Sequence, residues 1–132
     1  MVVREYTPAD LDSLRRMHFR QGFDYEFPDI SDPIFISKLV ADDESGRAVM
    51  ASLARLTCEI YLLVDPDAGS PRDRYSRIAN LHQAAAADLT ARGLDDAHAW
   101  LPPKVARRFG RRLEDFGWIR DDKWTPYCRR LV

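Results

Sequence analysis

Five basic residues lie close together near the end of the chain, at Lys104, Arg107, Arg108, Arg111 and Arg112. On a helix, at roughly 100° per residue, they fall on the side opposite an apolar stripe. Because like charges repel, this basic patch indicates an anionic partner, such as phosphate groups or a nucleic-acid backbone. The alternative is pairing with nearby carboxylates, for which the candidates are Asp95, Asp96, Glu114, Asp115, Asp121 and Asp122.

A second candidate site is an irregular segment between Phe23 and Pro33 that has neither helical nor strand periodicity. It places carboxylates beside aromatic rings, at Asp24, Tyr25, Glu26, Phe27 and Asp29. Charge and cation–π attraction suit such a segment to binding a cationic amine. The alternative is that the rings anchor the segment on the core while the acids face water.

Histidine supplies further candidates for proton transfer. His98 alternates with Asp96 and Trp100 on one face of a predicted strand, where it can act as a base or be a hydrogen-bonded structural residue. His18 and His82 fall on the apolar stripes of predicted helices, which indicates packed side chains.

Composition limits the classes of protein to which the chain can belong. With 132 residues, 45% of them apolar and 31% charged, it predicts a single globular domain over residues 1–132 and argues against disorder. Its 20 basic and 21 acidic residues leave a net charge of −1, so we do not expect a nucleic-acid partner.

The chain shows no sequence signal for a membrane, a leader or a metal. The apolar run Ile60 to Val64 is too short to cross a bilayer, and the first residues lack the apolar core of a signal peptide. Cys58 and Cys128 stand outside metal-ligand spacing, so we expect two reduced thiols and no metal site. These features predict a cytoplasmic protein.

Caps and periodicity predict the order of the elements. Thr7 with Pro8 and Ser70 with Pro71 begin two helices, the first reaching about Arg20 and the second about Arg92. A third helix follows Pro103 and ends at Gly117. The predicted strands are residues 2–6, 34–41, 47–56, 58–64 and 94–101, with a short closing hairpin of residues 118–119 and 123–132. The second helix has a predicted buried stripe of Tyr75, Ile78, His82, Ala85 and Leu89.

This order resembles the GNAT superfamily of acyl-CoA-dependent N-acetyltransferases. The opening Val3 to Leu11 is similar to the family's first strand and capped helix, and Ile60 to Pro66 is similar to its fourth strand. Ala106 to Trp118 resembles its late helix and the turn that follows. The resemblance implies an α/β (α+β) fold with a mixed, mostly antiparallel sheet of six to seven strands and helices on both faces. Its fourth and fifth strands, here Cys58 to Val64 and Leu94 to Leu101, would be parallel and splayed.

The resemblance also implies acetyl transfer from acetyl-CoA to a small-molecule or peptide amine, and a possible homodimer. Glu59 or His98 would be the base. Leu113 stands where the family often has a proton-donating tyrosine, so Tyr127 is the candidate acid. The cofactor would be held by Leu63, Val64, Asp65, Gly69, Ser70, Arg72 and Arg108, and the amine by Asp24, Tyr25, Glu26 and Phe27.

A second hypothesis is a noncatalytic GNAT-like binding module. The family's phosphate loop has the pattern Arg/Gln-x-x-Gly-x-Gly/Ala, and the segment Pro66 to Pro71 keeps only its first glycine. Such a module would bind a partner protein, a small ligand or nucleic acid through the acidic segment or the basic patch.

Overall fold

The sheet has three antiparallel strands in the order in which they occur along the chain. Strand β1 (Val2–Glu5) pairs with β2 (Phe35–Asp42), which pairs with β3 (Ala48–Arg55). The computed structural model describes residues 1–132. The strands predicted at residues 34–41 and 47–56 are confirmed and form an antiparallel hairpin. In its turn the Asp43 carboxylate accepts hydrogen bonds from the backbone N–H groups of Ser45 and Arg47, at 2.9 and 3.0 Å.

The first helix begins as its cap predicts. A 3-10 turn at Pro8–Asp10 leads into helix α1 (Leu11–Gln21), and the Asp10 carboxylate accepts the N–H of Thr7 at 2.8 Å. Gly22 then ends α1 at a φ of 72°, a left-handed conformation that glycine adopts without strain.

Arg4 joins β1 to both the start of α1 and the end of β2. Its guanidinium donates to the two carboxylate oxygens of Asp10, both at 2.8 Å, and to those of Asp42 at 2.7 and 3.1 Å. Because Asp10 is buried, this pairing offsets the cost of removing its charge from water. The same contacts fix the direction in which α1 leaves the sheet.

The buried core lies between α1 and the sheet. Leu14 of α1, Ile30 of the irregular segment and Val40 of the central strand form its centre, and Val40 is completely buried. Removing most of a side chain such as Leu14 leaves a cavity and costs about 2–5 kcal/mol.

The chain divides into two compact units, Met1–Cys58 and Glu59–Val132, which are described separately. The second unit contains α2 (Pro71–Ala91) and α3 (Pro103–Asp115). These helices meet through aromatic rings: Phe116 stacks on Tyr75 and on His82, with ring centroids 5.5 and 5.2 Å apart. The Trp118 indole N–H donates to His82 Nε2 at 2.8 Å.

The predicted sheet of six to seven strands is wrong, since the sheet has three. Residues 58–64 and 94–101 meet at one parallel bridge, Glu59 with His98, where Ile60 N donates to the His98 carbonyl at 2.8 Å. Pairing two strands gains little free energy unless their side chains are buried. Because Tyr61 and Leu63 are 78% and 90% exposed, a longer ladder between these segments would gain little.

The predicted closing hairpin is also absent. Residues 118–132 contain no strand and no helix, and Pro126 removes a backbone N–H that a ladder would need. The side chains of Ile119, Tyr127 and Leu131 are more than four-fifths exposed, so their burial supplies little free energy to order this segment.

The stripe predicted on α2 is not buried either, because no residue of α2 is buried. Its residues line a cavity instead. None of the helices combines the length and apolar character needed to span a bilayer.

Candidate functional site

A large cavity lies within the second unit and has a volume of about 1170 Å³. Its walls come from α2, α3 and the segments at residues 59–66 and 94–102. All five residues of the predicted α2 stripe line it, together with apolar side chains of α3 such as Val105 and Phe109. The volume exceeds the range of about 300–1,000 Å³ common for small-molecule sites.

Glu59 lies in the wall of this cavity, beside the parallel bridge. Its carboxylate is hydrogen-bonded to the hydroxyl of Tyr61, which raises the pKa of Tyr61 because ionisation would set two negative charges together. Tyr61 lines the same cavity. The chain therefore places a carboxylate and a protonated phenol side by side in the wall.

His98 forms the other half of the bridge but does not line the cavity. Its ring stacks on Trp100 with centroids 6.0 Å apart, and its Nε2 lies 3.8 Å from a carboxylate oxygen of Asp96. Asp96 and Trp100 themselves line the cavity.

The N-terminus of α2, the predicted phosphate site, is already occupied by the chain's own groups. Ser70 Oγ accepts the N–H of Asp73, and Asp73 Oδ2 accepts the N–H of Ser70, both at 3.1 Å. Asp65 accepts the N–H groups of Asp67 and Ala68 at 2.9 and 3.3 Å.

A phosphate does not fit at this helix end. Pro71 has no N–H to donate, and the pKa of Asp73 is lowered by its hydrogen bonds with Ser70, which keeps a negative charge there. Gly69 is also enclosed, since a Cβ there would lie 3.1 Å from Asp73 Cβ.

Three arginines in the cavity wall are better placed for an anion. Arg108 and Arg112 project one turn apart from α3, and the Arg112 guanidinium lies 5.4 Å from the centre of the Tyr75 ring. Arg74 precedes Tyr75 on α2 and donates to the Gly69 carbonyl at 2.7 Å. Neither Arg108 nor Arg112 has a carboxylate within 4 Å, so the pairing considered for the basic patch is not observed at these two residues.

The irregular segment forms a second, smaller cavity of about 500 Å³ within the first unit. Of the four residues expected to hold the amine, Tyr25, Glu26 and Phe27 line this cavity and Asp24 does not. Helix α1 contributes His18 to the same wall.

The remaining predicted residues lie outside both cavities. Tyr127 is 93% exposed, and Leu63 is 90% exposed. Asp65, Gly69, Ser70 and Arg72 belong to the loop and first turn of α2 and do not line the large cavity. Three of the predicted catalytic and cofactor residues thus line the large cavity, namely Glu59, Val64 and Arg108.

The sequence did not single out Tyr61 or Arg74 as site residues, and it placed Arg112 in the basic patch without assigning it to the cofactor. It also did not indicate His18 as a ligand contact. Arg74 and Arg112 have a signal in hindsight: Arg74 keeps helical spacing with Ile78, and Arg112 lies four residues after Arg108. The signal for His18 is its position four residues after Leu14, just before an aromatic-rich segment.

The described residues contain no cluster of three or more His, Cys, Asp or Glu side chains arranged to hold a metal ion. Neither cysteine is in a disulfide; Cys58 is half-buried and Cys128 is exposed.

Comparison with known proteins does not place the chain in a family. No family model matches it, and no curated protein does. Among solved structures, it is similar to a mutant of the BH1408 protein from Bacillus halodurans, at 17% identity over 99% of this chain and 100% of that one. The TM-score is 0.34, too low to carry an argument about fold or activity.

Proposed function

We propose that this protein is an N-acyltransferase that takes an acetyl group from acetyl-CoA and transfers it to an amine. The observation that supports this most is the large cavity, whose wall joins the Glu59 carboxylate to an apolar lining and to the guanidinium groups of Arg74, Arg108 and Arg112. An elongated apolar arm with an anionic end is the kind of ligand that such a wall complements.

The residues divide into two roles. Arg108 and Arg112 would hold phosphate oxygens through charge-assisted hydrogen bonds, in place of the helix end that Asp73 occupies. When bound, the cofactor supplies an activated acyl carbonyl. The Glu59 carboxylate would accept the proton that the attacking amine gives up and would pass it to the departing sulfur as the thioester C–S bond breaks.

The resemblance of the chain's local motifs to GNAT proteins gives separate support to this proposal. It concerns the capped first helix, the apolar segment from Ile60 and the late helix ending near Gly117. A capped helix at Leu11–Gln21 and a late helix at Pro103–Asp115 do occur, whereas the full sheet of that family does not.

Calorimetric titration of the full chain with acetyl-CoA tests the proposal. We expect micromolar affinity, and thiol release when an amine is added. The double variant Arg108→Glu/Arg112→Glu should weaken binding at least tenfold, because it reverses both charges in the cavity wall.

The matched control is Arg107→Glu/Arg111→Glu, which makes the same charge change on the same helix at residues outside the cavity wall. It should weaken binding much less. Equal loss in both double variants would mean that the helix attracts the cofactor only through its total charge. Absence of binding at millimolar acetyl-CoA would refute the proposed activity.

The second candidate function is a noncatalytic binding module. The self-capped N-terminus of α2 favours it, because Pro71 and Asp73 remove the donors that a cofactor pyrophosphate commonly uses. If acetyl-CoA binds but no amine is acetylated by the wild-type chain, this second function is the better account.

A further inference from the structure

Three basic residues of α3 that stand outside the large cavity form an exposed surface, here called the outer basic face. They are Lys104, Arg107 and Arg111, which recur at helical spacing along one side of α3. All three side chains are exposed, and none of them makes an ion pair or a hydrogen bond. Pairing with nearby carboxylates therefore does not account for these residues, and neither does the cofactor site proposed at Arg108 and Arg112.

Positive charge is concentrated at the end of the chain. Residues 103–132 contain nine basic and four acidic side chains, whereas residues 1–102 contain eleven basic and seventeen acidic ones. The net charge of −1, from which we expected no nucleic-acid partner, is the sum of these unequal parts. Because salt screens exposed charges beyond about 10 Å, a polyanion in contact with α3 responds mainly to the local positive charge.

The apolar side of α3 packs within the second unit. Val105, Phe109, Leu113 and Phe116 line the large cavity, and Phe116 stacks on Tyr75 of α2. A helix that binds a bilayer surface must bury its apolar side among the lipids. Because the apolar side of α3 faces the cavity, the outer basic face suits a polyanion recognised by charge better than it suits a membrane.

The segment that follows α3 adds exposed aromatic rings next to basic residues. Tyr127 is 93% exposed and Trp124 is 59% exposed. Lys123 precedes Trp124, and Arg129 and Arg130 follow shortly after Tyr127, all with exposed side chains. The unpaired bases of a single strand stack on such rings while basic groups contact its phosphates, whereas the bases of a duplex are stacked on one another. This composition favours a single strand over a duplex.

The length of the outer basic face matches a short run of phosphates. Lys104 and Arg111 lie seven residues apart on α3, a rise of about 10 Å. Phosphates along one strand of a B-form helix repeat every 3.4 Å or so, which makes this rise equal to about three phosphates. The three basic side chains can therefore contact about three phosphates of one strand.

We propose that the outer basic face, together with residues 118–132, binds single-stranded nucleic acid. Lys104, Arg107 and Arg111 contact phosphate oxygens, and Tyr127 stacks on a base. Phosphate contacts and stacking do not read base edges, so binding is independent of base sequence. The surface lies outside the large cavity, so this binding goes beyond the proposed acyl transfer and needs no acetyl-CoA.

The test is fluorescence anisotropy of the full chain with three labelled probes at several salt concentrations. The probes are an oligouridine, an RNA duplex of the same length and vesicles that contain phosphatidylserine. We expect the oligouridine to bind at least tenfold more tightly than the duplex. The logarithm of its binding constant should fall with the logarithm of salt concentration at a slope of about −2, the value for about three phosphates on a single strand. Absence of oligouridine binding, equal affinity for the single strand and the duplex, or preference for the vesicles would overturn the proposal.

Charge reversal on α3 tests the outer basic face. Arg107→Glu/Arg111→Glu should weaken oligouridine binding at least tenfold and make the salt dependence shallower. The matched control is Arg16→Glu/Arg20→Glu, the same change at the same spacing on exposed residues of α1. It should change the affinity by no more than about twofold. Equal losses in the two double variants would show that total charge alone sets the affinity, which contradicts a site on α3.

Replacement of the exposed ring tests the stacking. Tyr127→Leu should weaken binding of the oligouridine about tenfold and leave binding of the duplex unchanged, because a leucine side chain cannot stack on a base. An unchanged preference for the single strand would contradict the role of Tyr127.

Failure of this proposal and failure of the acyltransferase proposal are distinguishable. The first is judged from oligouridine binding without acetyl-CoA, and the second from acetyl-CoA binding without nucleic acid. A chain that binds oligouridine but not acetyl-CoA would keep the outer basic face as a nucleic-acid site and lose the proposed reaction. A chain that binds only acetyl-CoA would keep the reaction and lose this surface.

Discussion

At the scale of single residues, Arg4 and its two carboxylates are the best-defined polar contacts in the first unit. The Arg4 guanidinium holds the pKa of Asp10 far below its ordinary value of 3.8, with a further contribution from the N–H of Thr7. The same contacts raise the pKa of Arg4, so both groups stay charged throughout the working range. Stability therefore depends on the charge of Asp10.

Replacing Asp10 by Asn should lower the free energy of unfolding by about 1–3 kcal/mol at pH 7, since Arg4 loses an ionic partner. Below about pH 4 Asp10 is protonated in the unfolded chain but stays ionised in the folded one. The stabilisation by Asp10 therefore decreases as the pH falls, and the free energies of unfolding of wild type and variant converge. Urea unfolding between pH 7 and pH 3 measures the difference. Asp12→Asn, at an exposed residue of α1, is the control, and a constant difference for Asp10→Asn would contradict the assignment.

Glu59 is the second residue whose role can be tested by itself. Glu59→Gln should reduce acetyl transfer by about 100-fold, because the amide cannot accept a proton. It should also lower the pKa of Tyr61, which the Glu59 carboxylate raises. The pKa of Tyr61 is obtained as the difference between ultraviolet titrations with and without the Tyr61→Phe substitution. Unchanged turnover together with a lowered Tyr61 pKa would leave Glu59 as a hydrogen-bond partner without a catalytic role.

At the scale of elements, local signals were sufficient for the helices and for the first three strands. Thr7 and Ser70 marked helix starts, and Gly22 marked a stop, because caps act on backbone groups within a few residues. The apolar run Ile60 to Val64 belonged to a strand predicted at residues 58–64, whose side chains would need burial to form a sheet. That prediction failed because coverage depends on partners elsewhere in the chain, which local pattern does not specify.

The candidate site was only partly predictable for the same reason. The basic patch was visible in the sequence, but which of its arginines line the cavity depends on how α3 packs against Tyr75. Glu59 and the amine segment came from family resemblance and residue chemistry. That His18 Nε2 is buried without a hydrogen-bond partner could not be read from sequence, because it is a property of packing.

The cap of α2 makes a prediction at this scale. Ser70→Ala removes the acceptor of the Asp73 N–H and should destabilise the helix by about 1 kcal/mol. Amide exchange over the first turn of α2 should become faster. Ser76→Ala, an exposed change inside the same helix, should be neutral or slightly stabilising, since alanine favours helix. Unchanged stability and unchanged amide exchange in Ser70→Ala would mean that the cap contributes nothing.

At the scale of the whole molecule, burial is unevenly distributed along the chain. The buried residues all belong to Met1–Cys58. They are Leu14, Ile30, Ile34, Val40, Ala41 and the polar Asp10. In Glu59–Val132 the apolar side chains of α2 and α3 line a cavity instead. Overall composition predicts that a core exists, but not which half of the chain holds it.

Hydrogen exchange should show this difference directly. Amides of the central strand, around Val40, should exchange most slowly, and those of α2 should exchange faster despite their regular hydrogen bonds. Acetyl-CoA should slow exchange in α2 if it binds in the large cavity. If the amides of α2 exchange more slowly than those of β2 in the free protein, the assignment of the most stable core to the first unit is wrong.

The hydrogen bond between Trp118 and His82 gives the second unit its own spectroscopic reporter. Because an indole N–H can only donate, Nε2 of His82 must accept, which leaves the imidazole proton on Nδ1. Trp100 and Trp124 are 56% and 59% exposed, so a water-borne quencher will reach them before Trp118. The Trp118 indole proton should give a downfield-shifted resonance. Loss of that resonance would show, without any added label, that α2 and α3 have separated.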